Sequence, residues 1–210
     1  MIPNKLATGI LLGVTFLFIG VCTFLVGSTA TAQPRTVDAH ELKVGDSWLY
    51  KRARGDEFTT RVIEVSPLGY VTESTTFPGA KLYRDLHGTI TKIEGALAEV
   101  SPKSLVGWKW LDFPLFPGKK FKYQAEGATA PFSMEVKVVK WEKISVPAGA
   151  YEALRIDACY FNEASRWYGC GQEWWYAPEV KGFIKRRTPG DWAKALLDTD
   201  FGLVKFTPGP

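Results

Sequence analysis

Residues 151–177 read YEALRIDACYFNEASRWYGCGQEWWYA, and this stretch determines the fold because it describes a clamped β-hairpin. Two runs rich in aromatic and β-branched residues flank residues 164–165, which is typical of two strands joined by a tight turn. A turn at that point sets Cys159 opposite Cys170, within reach of a disulfide if the pair is not hydrogen-bonded. A reactive or metal-binding pair is the alternative, but no histidine lies near it in sequence. We therefore predict a structural disulfide between Cys159 and Cys170.

The register of this hairpin also predicts which side chains share a face. Counting back from the cysteines sets Ile156 opposite Glu173 and Leu154 opposite Trp175. Successive side chains of a strand point to opposite faces. Trp174 and Trp175 must therefore lie on opposite sides of the sheet, so that one belongs to the core and the other does not.

The rest of the chain also has the pattern of β-structure. Eight further runs alternate, or are rich in β-branched and aromatic residues, with turn residues between them. These runs are residues 48–54, 58–66, 70–75, 81–86, 89–94, 119–126, 133–146 and 182–187. Helical spacing occurs only around residues 191–197, and residues 101–118 form a long connection rich in Trp, Pro and Gly. We predict a mainly β protein with a single curved antiparallel sheet, as a half-barrel or open barrel, and few short helices.

The first 32 residues have the layout of a secretory signal. Lys5 precedes an apolar run over residues 6–26, and Ala30 and Ala32 form the small-x-small motif that signal peptidase accepts before Gln33. We therefore expect residues 1–32 to be a hydrophobic signal peptide or an N-terminal membrane anchor helix. Residues 33–210 should then form a single extracytoplasmic β domain.

The length of the apolar run leaves cleavage and retention both open. A membrane-spanning helix needs about 20 residues, which residues 6–26 supply, whereas the Gly and Thr residues among them favour a removable signal. Lipid attachment at Cys22 is a third alternative, disfavoured by the bulky Val21 before it. In each case the domain is exported to the bacterial periplasm. An uncleaved run would anchor it in the inner membrane.

The charge of the chain is mild, with a formal net charge of +4 over 210 residues. Short basic clusters occur at residues 51–54 and 185–187. We interpret them as solvated strand edges, since edge strands commonly carry Lys and Arg. Contact with an anionic lipid head group or a glycan phosphate is the alternative. Nucleic acid is not expected as a partner of an exported chain.

Residues suited to catalysis are sparse. The two histidines, His40 and His87, stand in an N-terminal segment and in a predicted turn. The sequence contains neither a Gly-x-Ser-x-Gly motif nor a phosphate-binding Gly-rich loop before a helix. The carboxylates near the aromatic segments are scattered in sequence, which identifies no pair for glycoside hydrolysis. We therefore expect no enzyme activity, no cofactor and no metal site.

Aromatic residues are the strongest functional signal, since the chain contains eight Trp. Their first interpretation is packing in the core of a small β-domain. Exposed Trp and Tyr outside the cytoplasm also stack on sugars or lie at an acyl-chain boundary. The candidate lining residues of such a surface are Trp108, Trp110, Phe113, Phe116, Trp175 and Tyr176.

Three motifs give the chain a family resemblance. VPAGAYEA at residues 146–153, WYAPEVKGFIKR at 175–186 and FPLFPGK at 113–119 resemble those of uncharacterised exported bacterial β-proteins. The resemblance covers about residues 42–190. The layout of that family is similar to the incomplete β-barrels of periplasmic lipoprotein carriers, whose curved sheet holds acyl chains on its concave face. This chain differs from the carriers in lacking clear helices and in its high Trp content.

These observations lead to one main functional hypothesis and two alternatives. The main hypothesis is a noncatalytic cell-envelope protein that binds an apolar or amphipathic ligand, a lipid or a lipoprotein acyl chain, on an aromatic-lined sheet. The first alternative is an interaction or assembly subunit of an envelope complex, with a protein partner. The second is a glycan-binding module that uses Trp108, Trp110 or Trp175 as stacking platforms.

Overall fold

Eleven antiparallel β-strands make up nearly all of the regular structure. The computed structural model describes residues 35–95, 106–125, 132–162, 166–189 and 200–210, which belong to one compact unit. The strands are β1 Ser47–Arg52, β2 Glu57–Ser66, β3 Gly69–Ser74, β4 Lys81–Asp85, β5 Ile90–Glu94, β6 Lys120–Ala125, β7 Phe132–Val146, β8 Gly149–Asn162, β9 Trp167–Ala177, β10 Gly182–Arg187 and β11 Phe201–Thr207. The prediction of a mainly β fold is therefore confirmed.

Helical structure in the described ranges is limited to one 3₁₀ turn, Pro178–Val180, between β9 and β10. Nowhere in these ranges is a helix long and apolar enough to cross a membrane. The predicted signal or anchor, with Ala30, Ala32 and Gln33, lies outside the described residues. The possible helix at residues 191–197 lies outside them as well.

The strands form one sheet in the order β5-β4-β3-β2-β1-β11-β10-β9-β8-β7-β6. The chain therefore runs from β1 outward to one edge at β5, crosses to the other edge at β6, and returns strand by strand to β11 beside β1. Over the described residues the edge strands β5 and β6 do not pair, so this antiparallel sheet is not closed. Strand β11 was not predicted, because Gly202 interrupts its short apolar alternation and glycine is a weak strand former.

The sheet bends so that strands far apart in its order face one another. The ring of Phe113 lies 6.3 Å from that of His87, just after β4, and 5.7 Å from that of Tyr176 in β9. Five strands separate β4 from β9 in the sheet. In a flat sheet these two strands would be about 29 Å apart, at about 4.8 Å per step. One phenylalanine can contact both only because the sheet has a concave face.

The clamped hairpin is present, but its register differs from the prediction on one side of the clamp. Cys159 pairs with Cys170 and forms the predicted disulfide, with Cα atoms 4.0 Å apart. Beyond the cysteines the ladder shifts by one residue, so Ile156 lies opposite Trp174 and Leu154 opposite Tyr176. The predicted partners of Ile156 and Leu154 were therefore wrong. The reason is a β-bulge that alternation in the sequence does not reveal.

The tip of the β7–β8 hairpin covers the convex face. The Ala148 N–H donates to the carbonyl of Leu203 at 2.9 Å, and Pro147 lies 3.4 Å from where a Cβ on Gly202 would point. A Cβ on Gly202 would lie on the opposite face of the sheet from the side chain of its neighbour Phe201, because successive residues of a strand face opposite sides. The long hairpin therefore packs on the side of the sheet opposite to the face that carries Phe201.

Candidate functional site

The concave face carries an unbroken series of aromatic rings. Neighbouring centroids are 5.0 Å apart for Phe58 and Tyr50, 4.6 Å for Tyr50 and Phe201, and 6.0 Å for Phe201 and Trp174. The series continues from Trp174 to Phe183 at 4.9 Å and from Phe183 to Tyr176 at 5.8 Å. Most pairs are tilted or edge-to-face, which are the favourable arrangements of aromatic rings. We call these six residues the aromatic trough: Tyr50, Phe58, Trp174, Tyr176, Phe183 and Phe201.

The bulge in β9 places Trp174 and Tyr176 in this trough. Gly171 is the extra residue of the bulge, with φ of +125°, a conformation that L side chains rarely adopt. After the bulge, Trp174 and Tyr176 share a face with Ile156 and Leu154, their partners on β8. These residues belong to the same buried apolar cluster.

Two hydrogen bonds fix the rings of β1 across the neighbouring strand. The indole N–H of Trp48 donates to the carbonyl of Val180 at 2.7 Å, and the hydroxyl of Tyr50 donates to the carbonyl of Phe183 at 3.0 Å. Both bonds extend beyond the adjacent strand β11. The Trp48 bond reaches the 3₁₀ turn before β10, and the Tyr50 bond reaches the start of β10. Burial raises the pKa of the Tyr50 and Tyr176 hydroxyls, so both stay neutral near pH 7.

Residues 106–118, which we call the crossing segment, pass over the trough from one edge of the sheet to the other. The segment begins along β5, where the Gly107 N–H donates to the carbonyl of Ile90 at 2.8 Å. It then sets Trp110 on Trp174, with centroids 4.3 Å apart, and ends in a bridge between Leu115 and Val37. The long connection predicted from the sequence is therefore the cover of the concave face.

Asp112 holds the crossing segment in a closed loop. Its carboxylate accepts from Lys109 at 2.5 Å and from Lys119 at 2.8 Å, while Lys119 also donates to the carbonyls of Asp112 and Pro114. Burial alone would raise the pKa of Asp112, but the two lysines outweigh burial and lower it. The ionised carboxylate therefore joins the segment to the start of β6.

Open space follows the trough as three connected hollows. The turn end has about 570 Å³ beside Tyr70, His87 and Tyr176. The centre has about 260 Å³ beneath Trp110, and the basic end has about 460 Å³ beside Arg84 and Arg186. Tyr70 and Tyr176 line both the turn end and the centre, while Phe58, Trp174 and Phe201 line both the centre and the basic end. Because they share these side chains, the hollows adjoin one another along the strands, and we refer to them together as the channel.

Polar groups at the turn end are mostly held by protein partners. Asp46, fully buried, accepts from the backbone N–H groups of Gly209 at 2.7 Å and Lys43 at 2.9 Å, and from Lys181 Nζ at 3.1 Å. Burial would raise the pKa of this carboxyl, but the hydrogen bonds lower it. His40 stacks on Tyr176 with centroids 6.1 Å apart, and burial together with Lys181 lowers its pKa. His40 is thereby held neutral near pH 7.

The structure brings some of the predicted lining residues together and separates others. Trp110, Phe113 and Tyr176 meet at the channel, and Trp108 lies beside Trp110 with centroids 5.3 Å apart, packed on the β4–β5 cluster. Phe116 lies in the turn before β6 and lines none of the three hollows. Trp174 and Trp175 lie on opposite faces as predicted, but both are buried, so the expectation that one of them lies outside the core was wrong. The indole N–H of Trp175 donates to Glu142 at 3.2 Å.

Five residues of the aromatic trough were not predicted from the sequence as lining residues: Tyr50, Phe58, Trp174, Phe183 and Phe201. Alternation could have revealed Tyr50 and Phe58, which face each other across the predicted first hairpin. Trp174 and Phe183 could not be assigned in that way, because bulges in β9 and β10 change the face of each strand partway along.

Within the part of the chain that the structure describes, no group of three or more His, Cys, Asp or Glu side chains could hold a metal ion. Several polar groups in the channel instead bond to one another or to the backbone. Asp46 with Lys181, and the Phe113 N–H donating to His87 Nδ1 at 3.2 Å, are examples.

Comparisons with known proteins found similar folds only. No protein-family model and no curated protein sequence matches this chain. A candidate lipoprotein from Parabacteroides distasonis is similar in structure, with 14% identity, a TM-score of 0.42, and coverage of 82% of this chain and 100% of that one. The hypothetical lipoprotein YmcC from Escherichia coli has 8% identity, a TM-score of 0.42, and coverage of 71% and 82%. A candidate exported protein with a YmcC-like fold from Bacteroides fragilis has 14% identity, a TM-score of 0.37, and coverage of 81% and 99%.

Proposed function

We propose that this protein is a noncatalytic component of the bacterial cell envelope whose aromatic trough binds an apolar or amphipathic ligand, either a lipid or the acyl chain of a lipoprotein. The observation that carries the proposal is the row of adjoining hollows between the bent sheet and the crossing segment. Ligand sites are typically concave and mostly apolar, with a few polar groups that orient the ligand. The turn end and the centre of the channel have this composition.

The exposure of the rings supports a bound ligand. Phe58, Phe183, Phe201, Trp110 and Phe113 are only partly buried, although each faces the channel. Covering apolar surface stabilises by about 25 cal/mol per Å². An acyl chain in the channel would cover several of these rings at once. The secretory signal predicted for residues 1–32 supports an envelope location, where such ligands are abundant.

A titration of delipidated protein with glycerol monododecanoate tests the proposal. Trp110 and Trp174 line the channel, so we expect a change in Trp fluorescence. At a ligand concentration 100 times its Kd, the free energy of unfolding should rise by about 2.7 kcal/mol. Trp110→Ala should weaken binding. The matched control Trp141→Ala should not, because Trp141 lines none of the three hollows.

Two further measurements separate the alternatives. A flat lipid titration combined with fluorescence quenching by soluble cell-wall fragments would replace the proposal with glycan binding. A flat titration combined with a stoichiometric protein partner in pull-downs from native membranes would replace it with an assembly role. Mass spectrometry of the native protein should show a copurified lipid if the proposal is correct.

A further inference from the structure

The basic end of the channel is lined by arginines. The residues around this hollow of about 460 Å³ include Arg52, Arg54, Arg84 and Arg186, and none of its lining residues is a carboxylate. Three of these arginines come from the clusters at residues 51–54 and 185–187, and Arg84 is added by β4. The antiparallel steps from β1 through β11 to β10 give β1 and β10 the same direction. Arg52 and Arg186, near the ends of those strands, therefore reach the same end of the sheet.

Two of the guanidinium groups lie on trough rings. The guanidinium carbon of Arg52 is 4.4 Å from the ring centroid of Phe58, and that of Arg186 is 4.6 Å from the ring centroid of Trp174. Stacking covers the flat face of a guanidinium but leaves its N–H groups in plane, where they can bind an anion with two bonds. Phe58 and Trp174 also line the centre of the channel. The apolar and basic parts are therefore continuous.

Two of these arginines pair with a carboxylate, and a third bonds to neutral groups. Asp56, beside the hollow, pairs with Arg54 at 2.6 Å and with Arg52. The Arg54 and Arg52 guanidiniums lower the pKa of Asp56 to about 2, so it is ionised near neutral pH. Arg84 donates to neutral groups, the carbonyl of Gly88 at 2.9 Å and the hydroxyl of Thr72 at 3.4 Å. Among the described residues, no ion pair involves Arg84.

We infer that the basic end binds the anionic head group of the trough's ligand, so that the ligand is an anionic amphiphile with its acyl chain in the apolar part of the channel. This inference rests on the proposed function and adds the chemistry of the head group to it. A phosphate monoester matches the site best, because its oxygens can accept paired N–H bonds from several arginines together. Binding should weaken with added salt, since Arg54 is exposed and Arg52, Arg84 and Arg186 are only partly buried.

The test compares dodecyl phosphate, glycerol monododecanoate and inorganic phosphate on the delipidated full protein by calorimetry. Dodecyl phosphate should bind about tenfold more tightly than the neutral ester, since a hydrogen bond to a charged group is worth more than one tenfold step. Arg84→Gln should remove about that tenfold advantage, so that the variant binds the two amphiphiles about equally. Arg186→Gln is a second variant for the case that Arg84→Gln does not fold.

The matched control is Arg61→Gln, because Arg61 lies exposed on β2 between Thr60 and Val62 and points away from the channel. This variant should bind all three probes as the original protein does. Equal affinity for the charged and neutral amphiphiles would overturn the inference and leave the proposed function standing. Failure of both amphiphiles to bind would overturn the proposed function. Inorganic phosphate that binds as tightly as dodecyl phosphate would show a phosphate site, and would overturn the assignment to an amphiphile.

Discussion

At the scale of the residue, Asp46 connects three segments that are distant in sequence. Its oxygens accept from Lys43 before β1, from Lys181 between β9 and β10, and from Gly209 near the end of the described chain. Lys181 follows the 3₁₀ turn in a left-handed conformation, with a φ of +53°. The packing around Gly209 is close, because a Cβ there would lie 2.3 Å from the carbonyl oxygen of Val44. One carboxylate therefore organises the turn end of the channel.

Asp46→Asn should lower the free energy of unfolding by about 2–3 kcal/mol. The amide keeps the shape of the carboxyl, but it loses the charge that faces Lys181 and turns an N–H toward groups that are donors. Urea denaturation at pH 7 measures the loss. Asp38→Asn is the matched control, because Asp38 is exposed in the same N-terminal segment. A loss below about 0.5 kcal/mol, the usual effect of a surface change, would contradict this assignment.

The stabilisation by Asp46 should depend on pH in a direction set by its lowered pKa. A carboxyl whose pKa is lower in the folded state stabilises fully above its unfolded pKa, which is about 4. That contribution is lost as the pH falls toward the folded pKa. Unfolding measured at pH 7 and at pH 3 should therefore show the difference between the original protein and Asp46→Asn shrinking at the lower pH. An equal or larger difference at pH 3 would contradict the lowered pKa.

At the scale of the element, the β8–β9 hairpin combines a disulfide with a β-bulge that changes which face each later side chain of β9 occupies. The disulfide joins Cys159 and Cys170 where the pairing is regular, and the bulge at Gly171 follows immediately. From Trp174 to the end of β9, the side chains therefore face the opposite sides from those that the sequence pattern predicts. The clamp fixes the point at which the bulge occurs, because the cysteines cannot slip relative to one another.

Replacing both cysteines by serine should destabilise the protein by about 2–3 kcal/mol. The bond closes a loop with a sequence separation of 11 residues, and short loops gain less from closure than long ones. Urea denaturation with and without dithiothreitol measures the effect. Reductant should destabilise the original protein and leave the double variant unchanged. A double variant as stable as the oxidised protein would show that the clamp contributes nothing to stability.

The crossing segment is the second element whose attachment can be tested. Asp112→Asn removes the charge that holds Lys109 and Lys119. We expect faster amide hydrogen exchange over residues 106–118, read from the Gly107 and Leu115 N–H groups that bond across to Ile90 and Val37. Glu135→Gln is the control, because its ion pair with Lys122 is exposed on the edge strand β6. Unchanged exchange in Asp112→Asn would assign the closure of the segment to its aromatic contacts alone.

At the scale of the whole molecule, local pattern predicted the strands, whereas the site depends on bulges and bending. Ten of the eleven strands follow from alternation and turn residues, and the Cys159–Cys170 pair follows from symmetry about the hairpin turn. The sequence alone does not show which of Trp174 and Trp175 faces the channel, because one added residue in β9 reverses the alternation of its side chains. Contacts such as Phe113 with both His87 and Tyr176 depend on the bend of the sheet, to which many residues contribute a little each.

The channel is a property of the complete bent sheet, so filling its middle should block it without unfolding the protein. Thr60 on β2 lines both the centre and the basic end. Thr60→Trp would place a large ring in that space, and Trp suits a strand position. We expect affinity for dodecyl phosphate to fall by about tenfold or more, since the head group and chain could no longer occupy both parts at once. Arg61→Trp is the matched control, because its ring would lie on the opposite face of the same strand and leave binding unchanged. If both variants bind as the original protein does, while their unfolding transitions remain cooperative, the ligand does not lie in this channel.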